Sequence, residues 1–136
     1  MLTIKETNDK LKAQEFLKNC GNNYELGDDI IMVCEENGKI LGVTSLGLKD
    51  GQVYLNLLEI LSEANDMSLK LGMLKAVMNL ADLRGIKQIY GTNKDLEELY
   101  KLLRFKEDEG RYSLNLEGYF TTDHCDQEDK NDSSRA

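Results

Sequence analysis

Residues 61–90 read LSEANDMSLKLGMLKAVMNLADLRGIKQIY, and this stretch decides the fold. Apolar side chains recur in it at helical spacing, at Leu69, Met73, Val77 and Leu80. This period predicts a helix from Met67 to Leu83, which Gly85 ends. Strand-like apolar runs flank the helix at 53–61 and 86–90. A strand–helix–strand crossover of this length predicts that the two strands lie parallel in one sheet.

The residues before the crossover predict an antiparallel meander of three strands. Apolar runs suited to strands occur at 30–34, 40–48 and 53–61. Asn37-Gly38 separates the first two runs, and Asp50-Gly51 separates the last two. Because both dipeptides are typical of tight hairpin turns, we expect neighbouring runs to pair antiparallel.

A strand and a helix precede the meander. The strand covers residues 2–6, and Thr7 or Asn8 is the expected N-cap of the helix that follows. Apolar positions at helical spacing support this helix, at Ala13, Phe16, Leu17 and Cys20. Gly21 is expected to end it, and the loop 22–29 is then too short to hold another helix.

A short helix and a hairpin close the predicted domain. The helix covers residues 95–103, and a strand begins at Phe105. Glu109-Gly110 turns the chain into a last strand with alternating apolar residues up to Leu116. We therefore predict one α/β domain of the α+β type at 1–120, with a mixed sheet, followed by a disordered acidic tail at 121–136.

Composition and charge exclude several classes of protein. The formal net charge of −8 disfavours nucleic-acid binding, because phosphate contacts supply most of that affinity. The chain begins without the apolar core of a signal peptide and has no apolar run of membrane-spanning length, so we expect a cytoplasmic protein without a membrane partner. Three cysteines without paired spacing fit reduced thiols. The neighbours His124 and Cys125 provide too few positioned ligands for zinc, so no metal site is predicted.

Two segments and the order of elements resemble the GNAT superfamily of N-acetyltransferases. Residues 61–90 are similar to the family's acetyl-CoA loop and the long helix after it. Residues 93–105, NKDLEELYKLLRF, are similar to the family pattern N-x-x-x-x-x-L-Y-x-x-x-G-F, with Asn93, Leu99, Tyr100 and Phe105 at matching positions. The resemblance covers nearly all of residues 1–118. It implies a GNAT-like fold, with a mostly antiparallel sheet and one parallel crossover.

The loop before the long helix departs from the family motif Q/R-x-x-G-x-G/A. Asn65, Ser68 and Lys70 stand at its three defined positions, with Leu69 between the last two. The resemblance implies that these four residues border the pyrophosphate of acetyl-CoA, where a helix N-terminus favours an anion. Asp66 brings a carboxylate to the same place and is a candidate side-chain cap of the helix.

The resemblance also implies roles for the third meander strand and the short helix. The backbone of Leu58, Ile60 and Leu61 would hold the pantetheine arm, and Asn93 would lie beside the cofactor. Tyr100 would donate a proton to the departing thiolate. The alternative for Tyr100 is a structural one, in which its ring packs against the sheet.

Glu59 interrupts the apolar run LLEIL of that strand. A carboxylate at this position is a candidate general base toward an amine. The alternative is that this face of the strand is partly solvated and Glu59 points outward. Asn56 is a weaker candidate on the other face of the strand.

Two functions from different classes remain open at this point. The first is an N-acetyltransferase that moves acetyl from acetyl-CoA to an unidentified amine, either a small molecule or a peptide. The second is a non-catalytic GNAT-like module that binds a protein partner or a small ligand. GNAT enzymes usually place a further helix where this chain has the loop 22–29, so the acceptor side would be open or completed by a second subunit in a homodimer.

Overall fold

The computed structural model describes residues 2–122. Its strands are β1 Leu2–Thr7, β2 Ile30–Glu36, β3 Lys39–Lys49, β4 Gln52–Ile60, β5 Gln88–Gly91, β6 Lys106–Asp108 and β7 Arg111–Asn115. Its α-helices are α1 Lys10–Asn19, α2 Met67–Leu83, α3 Glu97–Leu102 and α4 Tyr119–Thr122. Short 3-10 turns at Ser62–Ala64 and Lys94–Leu96 precede α2 and α3. This order confirms the predicted mixed α+β architecture.

The strands form a single mixed sheet in the order β1-β2-β3-β4-β5-β7-β6. β4 and β5 are parallel, and the other neighbouring strands pair antiparallel. α2 makes the crossover between β4 and β5. The parallel pair predicted from residues 53–90 is therefore confirmed.

Two-residue turns fix the register of the meander. Asn37 and Gly38 have φ angles of 54° and 80°, and Asp50 and Gly51 have 53° and 76°. Two successive positive φ angles characterise the type I′ turn, whose twist matches that of the flanking strands. Both predicted hairpins are therefore confirmed.

Helices cover both faces of the sheet. On one face, α1 contributes to a buried cluster containing Ala13, Phe16, Leu17, Ile31, Val33, Val43 and Leu57. On the other face, α2 and α3 contribute to a larger cluster that includes Leu55, Leu74, Val77, Met78, Ile89, Leu99 and Tyr100. The apolar period of each predicted helix therefore corresponds to its buried side.

A β-bulge in β4 changes the face to which its side chains point. Gly47 pairs with Tyr54, but Ser45 pairs with Leu57, so β4 has one extra residue between these pairs. Leu55 consequently packs on the α2 face, whereas Leu57, two positions later, packs on the α1 face. Bulges bend a strand and increase its twist, so this one turns the second half of β4 away from its neighbour.

The structure corrects one predicted boundary. The N-cap of α1 is Asp9, not Thr7 or Asn8, because Asp9 Oδ1 accepts the N–H of Lys12 at 3.1 Å. Thr7 Oγ1 instead accepts the N–H of Asp9, at 3.1 Å. α4 covers Tyr119–Thr122. The rest of the predicted tail, with His124 and Cys125, lies outside the described residues.

α2 is 17 residues long. Within residues 2–122, no helix combines the length and the apolar character that a membrane crossing requires.

Candidate functional site

A narrow cleft opens where β4 and β5 separate. Within residues 2–122, their parallel ladder contains only the pairs Val53–Ile89 and Tyr54–Tyr90, and the bulge follows directly. Beyond these pairs lies a cavity of about 170 Å³. Its lining consists of Leu58, Glu59, Ile60, Asn65, Lys70, Asp95, Leu96 and Leu99. The first five of these residues were predicted from the sequence as site residues, so the fold brings them together around one cleft.

Asn56 ties β4 to the turn after β5 at the bulge. Its Oδ1 accepts the N–H of Thr92 at 2.8 Å, and its Nδ2 donates to Thr92 Oγ1 at 3.0 Å. The backbone carbonyl of Asn56 accepts a hydrogen bond from Asn93 Nδ2 at 2.8 Å. These bonds replace the ladder at the point where β4 leaves β5. Since both ends of the amide are bonded and an amide is not basic, Asn56 is suited to hold this junction together rather than to remove a proton.

The hydroxyl group of Tyr100 lies at the same junction. It donates to the carbonyl oxygen of Leu55 at 2.6 Å and contacts Asn56 Oδ1 at 3.2 Å. The Tyr100 ring is completely buried, with ring centroids 5.0 Å from Phe105 and 5.1 Å from Tyr112. Tyr100 therefore packs as a core residue and also places a polar atom where the strands part.

Burial raises the pKa of Tyr100 well above its ordinary value, although the backbone N–H of Asn93 acts weakly in the other direction. The phenol therefore stays protonated at neutral pH and remains a hydrogen-bond donor. Gly91 of β5 leaves space for it, because a Cβ atom added there would lie 2.6 Å from the hydroxyl oxygen. The absence of a side chain at position 91 is thus a requirement of this arrangement.

Glu59 is half-buried and accepts a hydrogen bond from Asn22 Nδ2 at 2.9 Å. Asn22 belongs to the loop between α1 and β2, which contains no helix, as expected from its length. Glu59 lines both the cleft and a second cavity of about 390 Å³ beside Asn19 and Cys20 at the end of α1. The carboxylate is thus anchored at one oxygen and is accessible from either side of β4.

Asp66 is the N-cap of α2. Its Oδ1 accepts the N–H of Leu69 at 2.8 Å, which confirms the side-chain cap expected from the sequence. A donor that the resemblance assigned to a phosphate is therefore bonded to a carboxylate of the chain itself. Ser68 is exposed in the first turn, and Lys70 is half-buried at the mouth of the cleft. The N-terminus of α2 therefore has one cation nearby, Lys70, and one anion that caps it, Asp66.

Leu61 and Asn93, two of the predicted cofactor residues, form hydrogen bonds within the protein. Leu61 follows the end of β4, and its N–H donates to the carbonyl of Leu41 at 2.9 Å. Asn93 Oδ1 accepts the N–H of Asp95 at 3.0 Å, while its Nδ2 is bonded to Asn56. Leu61 therefore continues the sheet, and Asn93 shapes the turn that leads into α3.

Comparison with solved structures identifies this arrangement of sheet, splayed strands and helices. An acetyltransferase of the GNAT family from Staphylococcus aureus Mu50 superposes with a TM-score of 0.61 at 15% identity, covering 85% of this chain and 99% of that one. The chain has the GNAT fold. The ribosomal-protein-S18-alanine N-acetyltransferase of Escherichia coli superposes on the GNAT core with a TM-score of 0.65 at 16% identity, over 85% of this chain and 94% of that one.

A third GNAT neighbour is N-acetylglutamate synthase from Neisseria gonorrhoeae, solved with coenzyme A and N-acetyl-glutamate. The TM-score is 0.67 at 13% identity over 85% of this chain, which spans only 35% of that larger protein. No protein-family model matches the sequence, and no curated protein matches it. The likeness to the GNAT structures is therefore one of fold.

A further cavity of this GNAT fold contains residues that sequence reasoning missed. It measures about 340 Å³ and is lined by Tyr24, Asp29, Gly47, Leu48, Lys49, Tyr54, Asn56 and Thr92. Asp29 Oδ2 accepts hydrogen bonds from Tyr24 Oη at 2.6 Å and from the buried Ser45 Oγ at 2.9 Å. Burial, followed by the bond to Asp29, raises the pKa of Tyr24 to about 12. In the sequence Asp29 only follows another aspartate in a polar loop, and no local pattern signals these distant contacts.

Proposed function

We propose that the protein is an N-acetyltransferase that uses acetyl-CoA to acetylate an amine. The observation that carries this proposal is the bulge in β4, after which β4 separates from β5 and leaves a cleft, with the Tyr100 hydroxyl bonded to Leu55 at the point where the strands part. Several GNAT-fold neighbours are acetyltransferases by name, which supports the same activity here.

The residues fit the two halves of acetyl-CoA unequally. Beyond Tyr54, β4 has no paired strand on the cleft side within residues 2–122, so its backbone is available to the pantetheine arm. Leu58 and Ile60 are the residues that would hold this arm. At the other half, Lys70 would attract the pyrophosphate, while the exposed carboxylate of Asp66 would repel it. The pantetheine arm is therefore the better accommodated half.

When bound, acetyl-CoA supplies an acetyl group activated as a thioester. The amine nitrogen forms a C–N bond to the acetyl carbon, the C–S bond breaks with its electron pair on sulfur, and one proton passes overall from nitrogen to sulfur. Glu59 is positioned to receive the proton from the nitrogen through water, since it is anchored by Asn22 and faces both cavities. Tyr100 remains protonated at neutral pH, so its hydroxyl can donate to the sulfur when it leaves the carbonyl of Leu55.

A second function, a non-catalytic ligand-binding or protein-binding module, is favoured by a specific observation. Asp66 caps α2 with its own carboxylate, and this satisfies a donor that an anion would otherwise use. In this alternative the protein keeps the GNAT fold, and the Asp66 carboxylate occupies the place of the anion at the start of α2.

Thermal unfolding with acetyl-CoA separates the two functions. Acetyl-CoA at a hundredfold excess over its Kd stabilises the folded state by about 2.7 kcal/mol, which raises the Tm by several degrees in a domain of this size. The informative variant is Asp66→Asn, because asparagine keeps the helix cap and removes the charge. If the protein is an N-acetyltransferase, acetyl-CoA should raise the Tm of the wild-type protein and should raise the Tm of Asp66→Asn further.

The remaining outcomes are equally specific. If acetyl-CoA raises the Tm of Asp66→Asn alone, the Asp66 carboxylate blocks the anion site of the wild-type protein, and the non-catalytic module is the correct function. If neither protein responds at millimolar acetyl-CoA, the proposed transferase is wrong. If wild type responds, Glu59→Gln should lower kcat of acetyl transfer more than it changes the affinity for acetyl-CoA.

A further inference from the structure

We propose that the cavity around Asp29 binds a primary amine as its ammonium ion, and that this amine is the acetyl acceptor. The identity of the acceptor rests on the proposed function, whereas ammonium binding does not. The cavity is lined by residues of the loop before β2, the end of β3, the bulge of β4 and the turn after β5. Its volume of about 340 Å³ is within the usual size range of small-molecule sites.

The carboxylate of Asp29 is held in place by three independent features. Tyr24 Oη and Ser45 Oγ both donate to Oδ2, at 2.6 and 2.9 Å. Gly47 provides the space for the other oxygen, because a Cβ atom added at this glycine would lie 3.0 Å from Oδ1. Since both bonds engage Oδ2, Oδ1 keeps its capacity to accept a hydrogen bond from a ligand. A fixed carboxylate with one available oxygen suits an ammonium group.

The rest of the lining favours a cation with an apolar body. Tyr24 and Tyr54 are half-buried in the cavity wall, and aromatic faces attract ammonium groups. Lys49 is the opposing charge in the lining, but it is exposed. Its long side chain can extend into water, so it weakens the attraction of Asp29 without cancelling it.

The position of the cavity connects it to the chemistry of the cleft. Asn56 lines the cavity, and its Oδ1 contacts the hydroxyl of Tyr100 at 3.2 Å. An amine in this cavity therefore lies beside the junction at which β4 and β5 separate. Glu59 lies three residues further along β4, roughly 10 Å by the rise of a strand. Asp29 is therefore the carboxylate that holds the bound ammonium ion, and one proton of this ion must pass through a chain of water molecules to Glu59 before the neutral amine forms the C–N bond.

The probe pair is phenethylamine and 2-phenylethanol, which have the same ring and chain length but differ in charge. We expect phenethylamine to shift the backbone amide NMR signals of Tyr24, Asp29, Gly47, Tyr54 and Thr92, without acetyl-CoA present. The alcohol should bind more weakly by a factor of about ten or more, since a bond between an ammonium and a carboxylate contributes at least that factor. This comparison needs no variant. Equal affinity for the two probes, or shifts centred elsewhere, would overturn the proposal.

Variants give an independent measurement of the same site. Asp29→Asn should weaken phenethylamine binding about tenfold or more, because it removes the charge and keeps an oxygen for Tyr24 and Ser45. Asp28→Asn is the matched control, since Asp28 is its exposed neighbour and lies outside the lining of the cavity. Equal loss in both variants would show a general charge effect and refute the site. Binding of phenethylamine without any response to acetyl-CoA would support the ammonium site and reject only its role as acceptor.

Discussion

Tyr100→Phe separates the structural from the chemical role of this residue. The substitution removes only the hydroxyl group, which donates to the carbonyl of Leu55 at 2.6 Å in a fully buried environment. The carbonyl is then left without this donor, and a buried unsatisfied polar group costs about 1–3 kcal/mol. The ring contacts with Phe105 and Tyr112 are preserved. We therefore expect the free energy of unfolding to fall by about 1–3 kcal/mol, with no loss of fold.

Urea denaturation followed by circular dichroism measures this change. The midpoint should move to lower urea at an unchanged m-value, because the surface exposed on unfolding is the same. In thermal unfolding each kcal/mol corresponds to roughly 3–5 °C for a domain of this size. Tyr54→Phe is the control, since the Tyr54 hydroxyl contacts only Gln52, at 3.2 Å, among the described residues. It should change the unfolding free energy by less than about 0.5 kcal/mol.

The kcat of Tyr100→Phe is compared with the change in its free energy of unfolding. If Tyr100 donates to the departing thiolate, Tyr100→Phe lowers kcat while the affinity for acetyl-CoA stays close to that of wild type. A stability loss with unchanged kcat would remove Tyr100 from the mechanism and leave it as a core residue. Unchanged stability would refute the reasoning from the structure, because the hydroxyl would then not be bonded to Leu55.

Three further predictions follow from single side chains. Asp66→Ala should lower the free energy of unfolding by about 1 kcal/mol in urea, whereas Asp66→Asn should lose less than half of that, because asparagine is also a good N-cap; equal losses would contradict the cap. Gly91→Ala should cost about 1–3 kcal/mol or more by overpacking against Tyr100, and an unchanged urea midpoint would contradict the close contact. A hydrogen bond to the Glu97 carboxylate, and then burial, raises the pKa of Tyr112 to about 12. The unfolded phenol titrates near pH 10, so stability should fall as the pH rises from about 10 to about 12, and this fall should be smaller in Tyr112→Phe.

The local elements of the fold could be predicted because their signals lie close together in the sequence. α2 was predicted at Met67–Leu83 from its apolar period, and the structure gives the same bounds. The Asn37-Gly38 and Asp50-Gly51 turns were predicted because few residues accept two positive φ angles in succession. The cap by Asp66 was also predicted, because its partner, the N–H of Leu69, lies only three residues away.

The features that shape the candidate site depend on distant contacts. A bulge shifts β4 against β3 by a single residue, and no residue type in β4 marks its position. The bonds of Asn56 to Thr92 and Asn93 join residues that are 36 and 37 positions apart. Asp29 was missed for the same reason, since its partner Ser45 is 16 residues away. Sequence reasoning therefore found the cleft residues between positions 58 and 70, which lie close together along the chain, and missed the cavity around Asp29.

The fold already uses two groups that acetyl transfer would require, the Tyr100 hydroxyl and the N–H of Leu69. The Tyr100 hydroxyl donates to the carbonyl of Leu55 in β4, and the Asp66 carboxylate accepts the N–H of Leu69 at the start of α2. Each bond contributes about 1 kcal/mol to folding, and a ligand that needs the same group must displace it. An enzyme with this arrangement would bind acetyl-CoA more weakly than one whose helix N-terminus is uncapped. Asp29 differs, because its two bonds engage one oxygen and leave the other available. In the proposed function, the amine site is therefore better prepared for its ligand than the acetyl-CoA site, and ligand searches should begin with amines.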